Sequence, residues 1–310
     1  MILEISNLIK RYGDFLAIDN LTFSIKEGEI FGLLGPNGAG KTTILNCIIG
    51  LNKVDSGTIK VFDKDLREHE ILIKRDIGIV TQNISVYKDL NAYDNLMYFG
   101  GIYGLKGKAL KEAVEEALRF AGLWEERKRL PDEFSGGMLR RLNIACGIVH
   151  KPKLIIMDEP TVGIDPQSRE HILDGIEKLS KAGATIIYTS HYMDEVERIC
   201  TDIAILDHGR IIARGNKDDL KSMVSIEEKV KIKVAALNYT IIDKIKQVYG
   251  VKECSITEGY IYIISNKGSK NLGKIIDLIV NSGNEILDIT IEKPSIEAVF
   301  LTLTGRMLRD

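Results

Sequence analysis

Long apolar runs are missing from this 310-residue chain: no stretch approaches the roughly 18 uninterrupted apolar residues that a membrane-crossing helix needs. The opening MILEISNLIK carries Glu4 where a secretory leader would be apolar, so the chain is expected to be cytoplasmic, reaching a membrane only by docking on another protein. Cysteine is scarce. Cys47, Cys146, Cys200 and Cys254 stand alone, with no C-x-x-C pair. That argues against a zinc site or a disulfide framework and reads as four small buried hydrophobes in a reducing compartment. An excess of one charge is lacking too, since 42 Lys and Arg against 44 Asp and Glu leave a net charge of −2. No bulk basic field exists to hold a nucleic-acid backbone or an anionic lipid surface, and no nucleic-acid partner is expected. Repeats and low-complexity segments are absent as well.

What is present is 45% hydrophobic and 28% charged residues, enough for a sizeable core in one large domain or two. Over residues 1–223, short β-branched runs alternate with helical stretches, as in an α/β domain with parallel strands. EIFGLLG, KLIIMDEP and ATIIYTSH are continuous apolar runs that end in polar or glycine-rich residues. Reactive groups are therefore expected outside the carboxyl ends of a buried sheet. LTFSI alternates instead and suggests an antiparallel sheet beside that core. From about 89 to 150 the pattern turns helical, ALKEAVEEALRFAGL placing apolar residues three and four apart, which predicts a helical subdomain. Residues 226–310 read strand, helix, strand, strand, helix, strand, the ferredoxin-like order of a small α+β domain. This unit is near neutral, so a packing or regulatory role suits it better than RNA binding.

Gly35-Pro36-Asn37-Gly38-Ala39-Gly40-Lys41-Thr42 fits G-x-x-x-x-G-K-[ST] between a strand and the helix that opens at Thr42-Thr43. Its glycines let backbone N–H groups turn around phosphate oxygens, Lys41 opposes the β- and γ-phosphate charge, and the Thr42 hydroxyl can hold Mg²⁺. Asn52-Lys53-Val54-Asp55 matches the guanine-reading N-K-x-D, but it follows the phosphate-loop helix directly and is read as a decoy, with Asp55-Ser56-Gly57 as a turn. Leu154 to Glu159 form a buried strand ending in two carboxylates. Side chains alternate along a strand, so Asp158 and Glu159 suit separate tasks, Asp158 on Mg²⁺ and Glu159 on the attacking water. Phe134-Ser135-Gly136-Gly137-Met138, ahead of the helix LRRLNIACGIV, is a second glycine-rich helix start able to face phosphate.

With this second cradle the sequence resembles the ATP-binding cassette (ABC) ATPases, whose signature is L-S-G-G-Q, over nearly all of residues 1–220. The resemblance implies a P-loop NTPase fold with a mixed sheet core, an antiparallel β subdomain and a helical subdomain. It implies ATP hydrolysis in a head-to-tail dimer, a homodimer in the simplest case, with Ser135, Gly136 and Gly137 of one subunit closing on the γ-phosphate held by the other. It further implies Tyr12 stacking on adenine, Gln82 sensing the γ-phosphate and Mg²⁺, Asp165 in the dimer-contacting D-loop, and His191 as the switch histidine. Two positions depart from the usual signature, Phe134 for Leu and Met138 for Gln, and Met138 lacks the polar contacts of a glutamine.

The segment from Pro294 to Arg306, SHYMDEVERIC and NLMYFGGIYGL resemble daunorubicin-resistance-type exporter ATPases, which pair a soluble ATPase with a separate multi-spanning permease on the inner face of the cell membrane. The expected docking surface is the groove after Gln82, with Tyr87, Leu90, Tyr93, Tyr98 and Phe99 as apolar anchors. The alternatives are importer ATPases, which often carry differently built C-terminal domains, and family members acting on ribosomes or DNA. The latter usually carry a second cassette or a coiled-coil insertion, neither of which is found here.

Overall fold

In the computed structural model, residues 1–224, 227–235, 240–292 and 295–305 are described. The expected boundary residue Ile226 and the tail residues Pro294 and Arg306 lie outside them. The described residues divide into two compact units, Met1–Lys217 together with Leu303–Gly305, and Asp218–Thr302.

In the first unit the strands are β1 (Leu3–Tyr12), β2 (Phe15–Ile25), β3 (Ile30–Leu34), β4 (Ser56–Val61), β5 (Lys64–Asp65), β6 (Ile77–Val80), β7 (Leu154–Asp158), β8 (Thr185–Thr189), β9 (Asp202–Asp207) and β10 (Arg210–Gly215). They form two sheets. The antiparallel sheet runs β2-β1-β4-β5, and the six-stranded sheet runs β10-β9-β3-β8-β7-β6. Within the larger sheet the neighbours from β9 to β6 pair in parallel and only β10 runs antiparallel to β9. Parallel strands buried on both faces need continuous apolar sequence, and β3 and β8 are buried at every position. The antiparallel strands show the mixed burial of a sheet with one packed face.

The helices are α1 (Lys41–Ile48), α2 (Leu66–Lys74), α3 (Ala92–Ile102), α4 (Gly107–Phe120), α5 (Gly136–Ile148), α6 (Pro166–Lys181), α7 (Met193–Ile199) and α8 (Lys217–Val224). The stretch expected to be a helical subdomain contains α3, α4 and α5 around their own core, which includes Leu96, Val114, Leu118 and Leu142. Asn91 caps α3 through Asp94 N, and a left-handed Gly104 follows its end.

One turn is corrected. Gly57 lies inside β4, left-handed at φ 88°, where a Cβ would stand 2.4 Å from the Asn7 carbonyl oxygen. A register shift between Ser6 and Ile9 brings the β1 backbone that close. All four cysteines are free and buried, as four small hydrophobes should be.

The second unit takes in α8 from Asp218 and then runs β11 (Glu227–Val234), α9 (Thr240–Lys246), β12 (Val251–Thr257), β13 (Tyr260–Asn266), α10 (Leu272–Asn281), β14 (Ile286–Glu292) and α11 (Ile296–Thr304) as far as Thr302. Its antiparallel sheet has the order β12-β13-β11-β14. That is the ferredoxin-like arrangement, with Val230 and Ile232 of the sheet packed against Ile245 and Ile275 of the helices.

Candidate active site

β3, β6, β7 and β8 are all parallel, so their carboxyl ends open on one edge of the sheet. Four segments leave that edge, carrying Lys41, Gln82, Glu159 and His191 respectively. The loop after β3 turns back on glycines. Gly40 sits at φ 105°, and a Cβ there would meet the Ala17 carbonyl oxygen at 2.8 Å; at Gly35 it would meet that of Leu206 at 2.6 Å. Gly38, at φ 80°, faces open space, leaving room for a ligand over exposed Asn37. Pro36 and Ala39 are buried beneath, and Thr42 and Thr43 follow in the first turn of α1.

Lys41 is only 8% exposed, and its Nζ donates to the Gly35 (2.6 Å) and Pro36 (3.1 Å) carbonyls. Burial lowers its pKa from the ordinary lysine value, opposed by the nearby Glu159 and Asp158 carboxylates. An ammonium curled over the cradle and facing two carboxylates is poised to exchange carbonyl oxygens for those of a phosphate.

β7 ends at Asp158, so Glu159 lies just beyond the expected strand, and a left-handed turn of the backbone at Glu159, not strand alternation, follows Asp158. Asp158 Oδ1 accepts from Thr189 Oγ1 at 2.6 Å. Glu159 is buried with left-handed φ of 49°, and its N–H donates to both the Thr189 carbonyl and Thr189 Oγ1. A non-glycine residue in that region costs on the order of 1–3 kcal/mol, and such strain collects at working sites. The Glu159 Oε1 is paired with His191 Nε2. Burial pushes the Glu159 carboxyl above the usual glutamate range, with His191 pulling it down and Asp158 adding to the rise. The set is an acid–base pair held beside a cationic cradle.

The signature helix begins earlier than its sequence suggests. Ser135 is the N-cap, its Oγ accepting from Met138 N at 3.3 Å, so both glycines lie within α5. Gly136 faces open space, whereas a Cβ on Gly137 would stand 2.2 Å from Ser168 Oγ and 3.1 Å from Asp165 Oδ2. Asp165 caps α6 through Ser168 N (2.9 Å), which holds its carboxyl below the usual aspartate range. The signature glycine and the D-loop thus pack on each other. Ser135 to Met138 share no hydrogen bond or ion pair with Gly35 to Thr43 among the described residues. Buried Phe134 and half-buried Met138, the two departures from the usual signature, both pack into the helical core.

Several residues that hold the candidate site in place carry no motif in the sequence. Gln82 is exposed, but its backbone is held from α5: Arg140, itself buried, donates to the Thr81 (2.9 Å) and Gln82 (2.6 Å) carbonyls, and Asn143 Oδ1 accepts from Ser85 N. Arg140 and Asn143 lie one turn apart on one helix face, the only signal the sequence carries for them. Tyr12 is half-exposed, and its hydroxyl accepts from Asn52 Nδ2 at 2.6 Å while Asp55 Oδ2 accepts from Arg11 N. The N-K-x-D stretch therefore props the aromatic.

The expected docking anchors differ in exposure. Tyr93 and Phe99 pack against the helical core, while Tyr87 and Tyr98 remain exposed and meet edge to face. Beside them a cleft of about 710 Å³ is lined by Ile49, Leu51, Ile71, Ile79, Ile102 and Tyr103. Ile71 is 77% and Ile102 62% exposed. No described helix is long and apolar enough to cross a membrane.

A family model described as ABC transporter matches residues 18–162. The linearmycin resistance ATP-binding protein LnrL of Bacillus subtilis is 41% identical over 99% of this chain and 100% of its own length. The Nod factor export ATP-binding protein I of Sinorhizobium fredii is 35% identical over 99% of this chain and 87% of its own length. Among solved structures, a dimeric ATP-binding cassette in a post-hydrolysis state, bound to ADP and Pi, superposes with a TM-score of 0.63 at 26% identity, covering 69% of this chain and 98% of that one.

Proposed function

The chain belongs to the ABC transporter ATP-binding proteins, and from that premise we propose how its own residues hydrolyse ATP and pass the energy to a membrane permease. It is an ATP-binding and ATP-hydrolysing subunit of the exporter type, in keeping with its full-length relatives. Subunits of this family act as dimers with membrane permeases; here the pair is a homodimer and the permease a separate multi-spanning chain.

One observation carries the mechanism: Glu159, strained and buried, bonded to His191 and facing Lys41. In the proposed cycle the ATP substrate sits with adenine against Tyr12 and its phosphates within residues 35–43. Thr42, Gln82 and Asp158 offer hydroxyl, amide and carboxylate oxygens, the hard donors that suit Mg²⁺. Bound there, that ion would neutralise charge between the β- and γ-phosphates. Ser135, Gly136 and Gly137 of the partner subunit close on the γ-phosphate while Asp165 lines the same interface. Glu159 orients the attacking water and receives its proton, and His191 holds the Glu159 carboxylate in place. Product charge then reopens the dimer.

The apolar cleft beside α2 and α3 is the surface offered to the permease, by a short amphipathic segment laying its apolar side into the groove. The test is capture of the tagged chain from detergent-solubilised membranes of its host, wild type against Ile71→Asp. Co-purification of a multi-spanning protein that stimulates ATP hydrolysis, lost in the variant, supports the reading. Recovery of ribosomes or nucleic acid instead would overturn the transport assignment.

A further inference from the structure

Glu195 lies on α7, four residues after His191, and is 1% exposed. Its Oε2 accepts three hydrogen bonds, from Tyr188 OH (2.6 Å), Ser190 Oγ (2.7 Å) and Thr161 Oγ1 (2.8 Å). Its Oε1 faces Arg169 Nε at 3.4 Å. These partners belong to four places in the fold: strand β8, the residue before His191, the loop that leaves Glu159, and the first turn of α6. Burying a carboxylate costs several kcal/mol, and an apolar residue of similar shape would stabilise the fold as well or better. What an apolar residue would not do is tie these four segments to a common point.

The His191 ring needs such a tie. Its Nε2 meets Glu159, but its buried Nδ1 has no hydrogen-bond partner among the described residues. A histidine bonded through one nitrogen alone keeps a rotational freedom that the second nitrogen ordinarily removes. Its orientation therefore depends on the chain at 190–192. That chain is gripped by Glu195 through Ser190 Oγ, which also accepts from Tyr192 N at 3.0 Å, and by Arg169, whose guanidinium stacks 4.1 Å above the Tyr192 ring. Arg169 sits one turn after Asp165, the residue packed beside Gly137.

We propose that Glu195 is a positioning residue for hydrolysis, whose carboxylate joins the 190–192 segment, the loop from Thr161 to Asp165 and the start of α6 into one body. Contact at the D-loop then sets the His191–Glu159 pair, and neither moves without the other. This rests on the assignment of Glu159 and His191 made above.

The test uses the full chain and compares Glu195→Gln and Ser190→Ala with wild type and with Glu159→Gln, each checked by thermal melting. ATP affinity is read by direct titration with a fluorescent ATP analogue, and kcat and KM by phosphate release. A misplacement of about 1 Å at a reacting group costs on the order of 100-fold. Glu195→Gln is therefore expected to lower kcat by about 10- to 100-fold, and Ser190→Ala by about 3- to 10-fold, with ATP affinity within about twofold. Folded variants that both keep wild-type kcat would overturn the proposal. So would a loss of turnover matched by an equal loss of ATP binding, the mark of a general loosening. Wild-type turnover in Glu159→Gln would instead overturn the underlying assignment, whatever Glu195 does.

Discussion

A single methyl group at Gly137 tests whether the signature helix and the D-loop must touch as they do. A Cβ at this position would stand 2.7 Å from Ser168 Cβ as well as 2.2 Å from its Oγ. The hydroxyl can rotate away, but Ser168 Cβ is fixed to the α6 backbone. Carbon atoms pack no closer than about 3.5 Å, so α5 and α6 must separate by roughly 0.8 Å at this point. In the proposed mechanism Gly137 meets the transferred phosphate, and a shift of that size in such a group costs on the order of 10- to 100-fold in rate. Gly137→Ala is thus predicted to lower steady-state ATP hydrolysis by that factor, with ATP affinity at the Lys41 cradle within about twofold. Adding Ser168→Gly removes both nearest atoms, at about 1 kcal/mol of helix stability, and should restore most of the rate. Phosphate release and nucleotide titration on the purified chain measure both effects. Wild-type hydrolysis in Gly137→Ala would refute the reasoning, and so would a double variant no faster than the single one.

Asn52→Ala removes the hydrogen bond that props Tyr12; at about 0.5–1 kcal/mol, ATP affinity should fall roughly two- to fivefold with kcat unchanged, and unchanged affinity would show that Tyr12 needs no prop. His150, stacked on Tyr103 with its Nε2 at the Ile77 carbonyl, is held neutral by burial, its pKa lowered to about 4. Below about pH 6.5 the unfolded chain takes up a proton that the folded one refuses. Folding stability should fall by up to about 1.4 kcal/mol per pH unit from there to pH 4, with no such loss above pH 6.5. The melting temperature of wild type should therefore drop more steeply than that of His150→Phe across that window, and parallel slopes would contradict the assignment.

The placement of the candidate site was legible in the sequence where it is carried by contiguous residues at the ends of apolar strands. The cradle from Gly35 to Thr42, the pair Asp158 and Glu159, and His191 each follow a run whose burial is written in its composition. The ferredoxin-like order of the second unit was legible for a similar reason, since each strand and helix keeps its own periodicity. What stayed hidden depends on contacts between distant segments. Glu195 stands in SHYMDEVERIC and Arg140 in LRRLNIACGIV, but nothing local in either stretch marks Arg140 as the holder of the Gln82 backbone or Glu195 as the partner of Thr161, because those partners come from distant segments. The exposure of the anchor set was not legible, because aromatic residues at helical spacing fit a core as well as a groove: Tyr93 and Phe99 are half-buried against the helical core while Tyr87 and Tyr98 stay exposed. The signature glycines were placed ahead of their helix because glycine reads as a breaker. Ser135 overrides that tendency by capping the first turn around them.

In the proposed mechanism Glu159 governs hydrolysis at an ATP site closed by a second copy of the chain. The decisive experiment is size-exclusion chromatography with light scattering on Glu159→Gln, with and without ATP and Mg²⁺, with ATP turnover measured on the same sample. The expected result is a dimer that forms only with ATP, contains two nucleotides, and turns over at least 100-fold more slowly than wild type, as for loss of the group that orients water. A Glu159→Gln protein that hydrolyses ATP at the wild-type rate, or that binds ATP and stays monomeric, would contradict it.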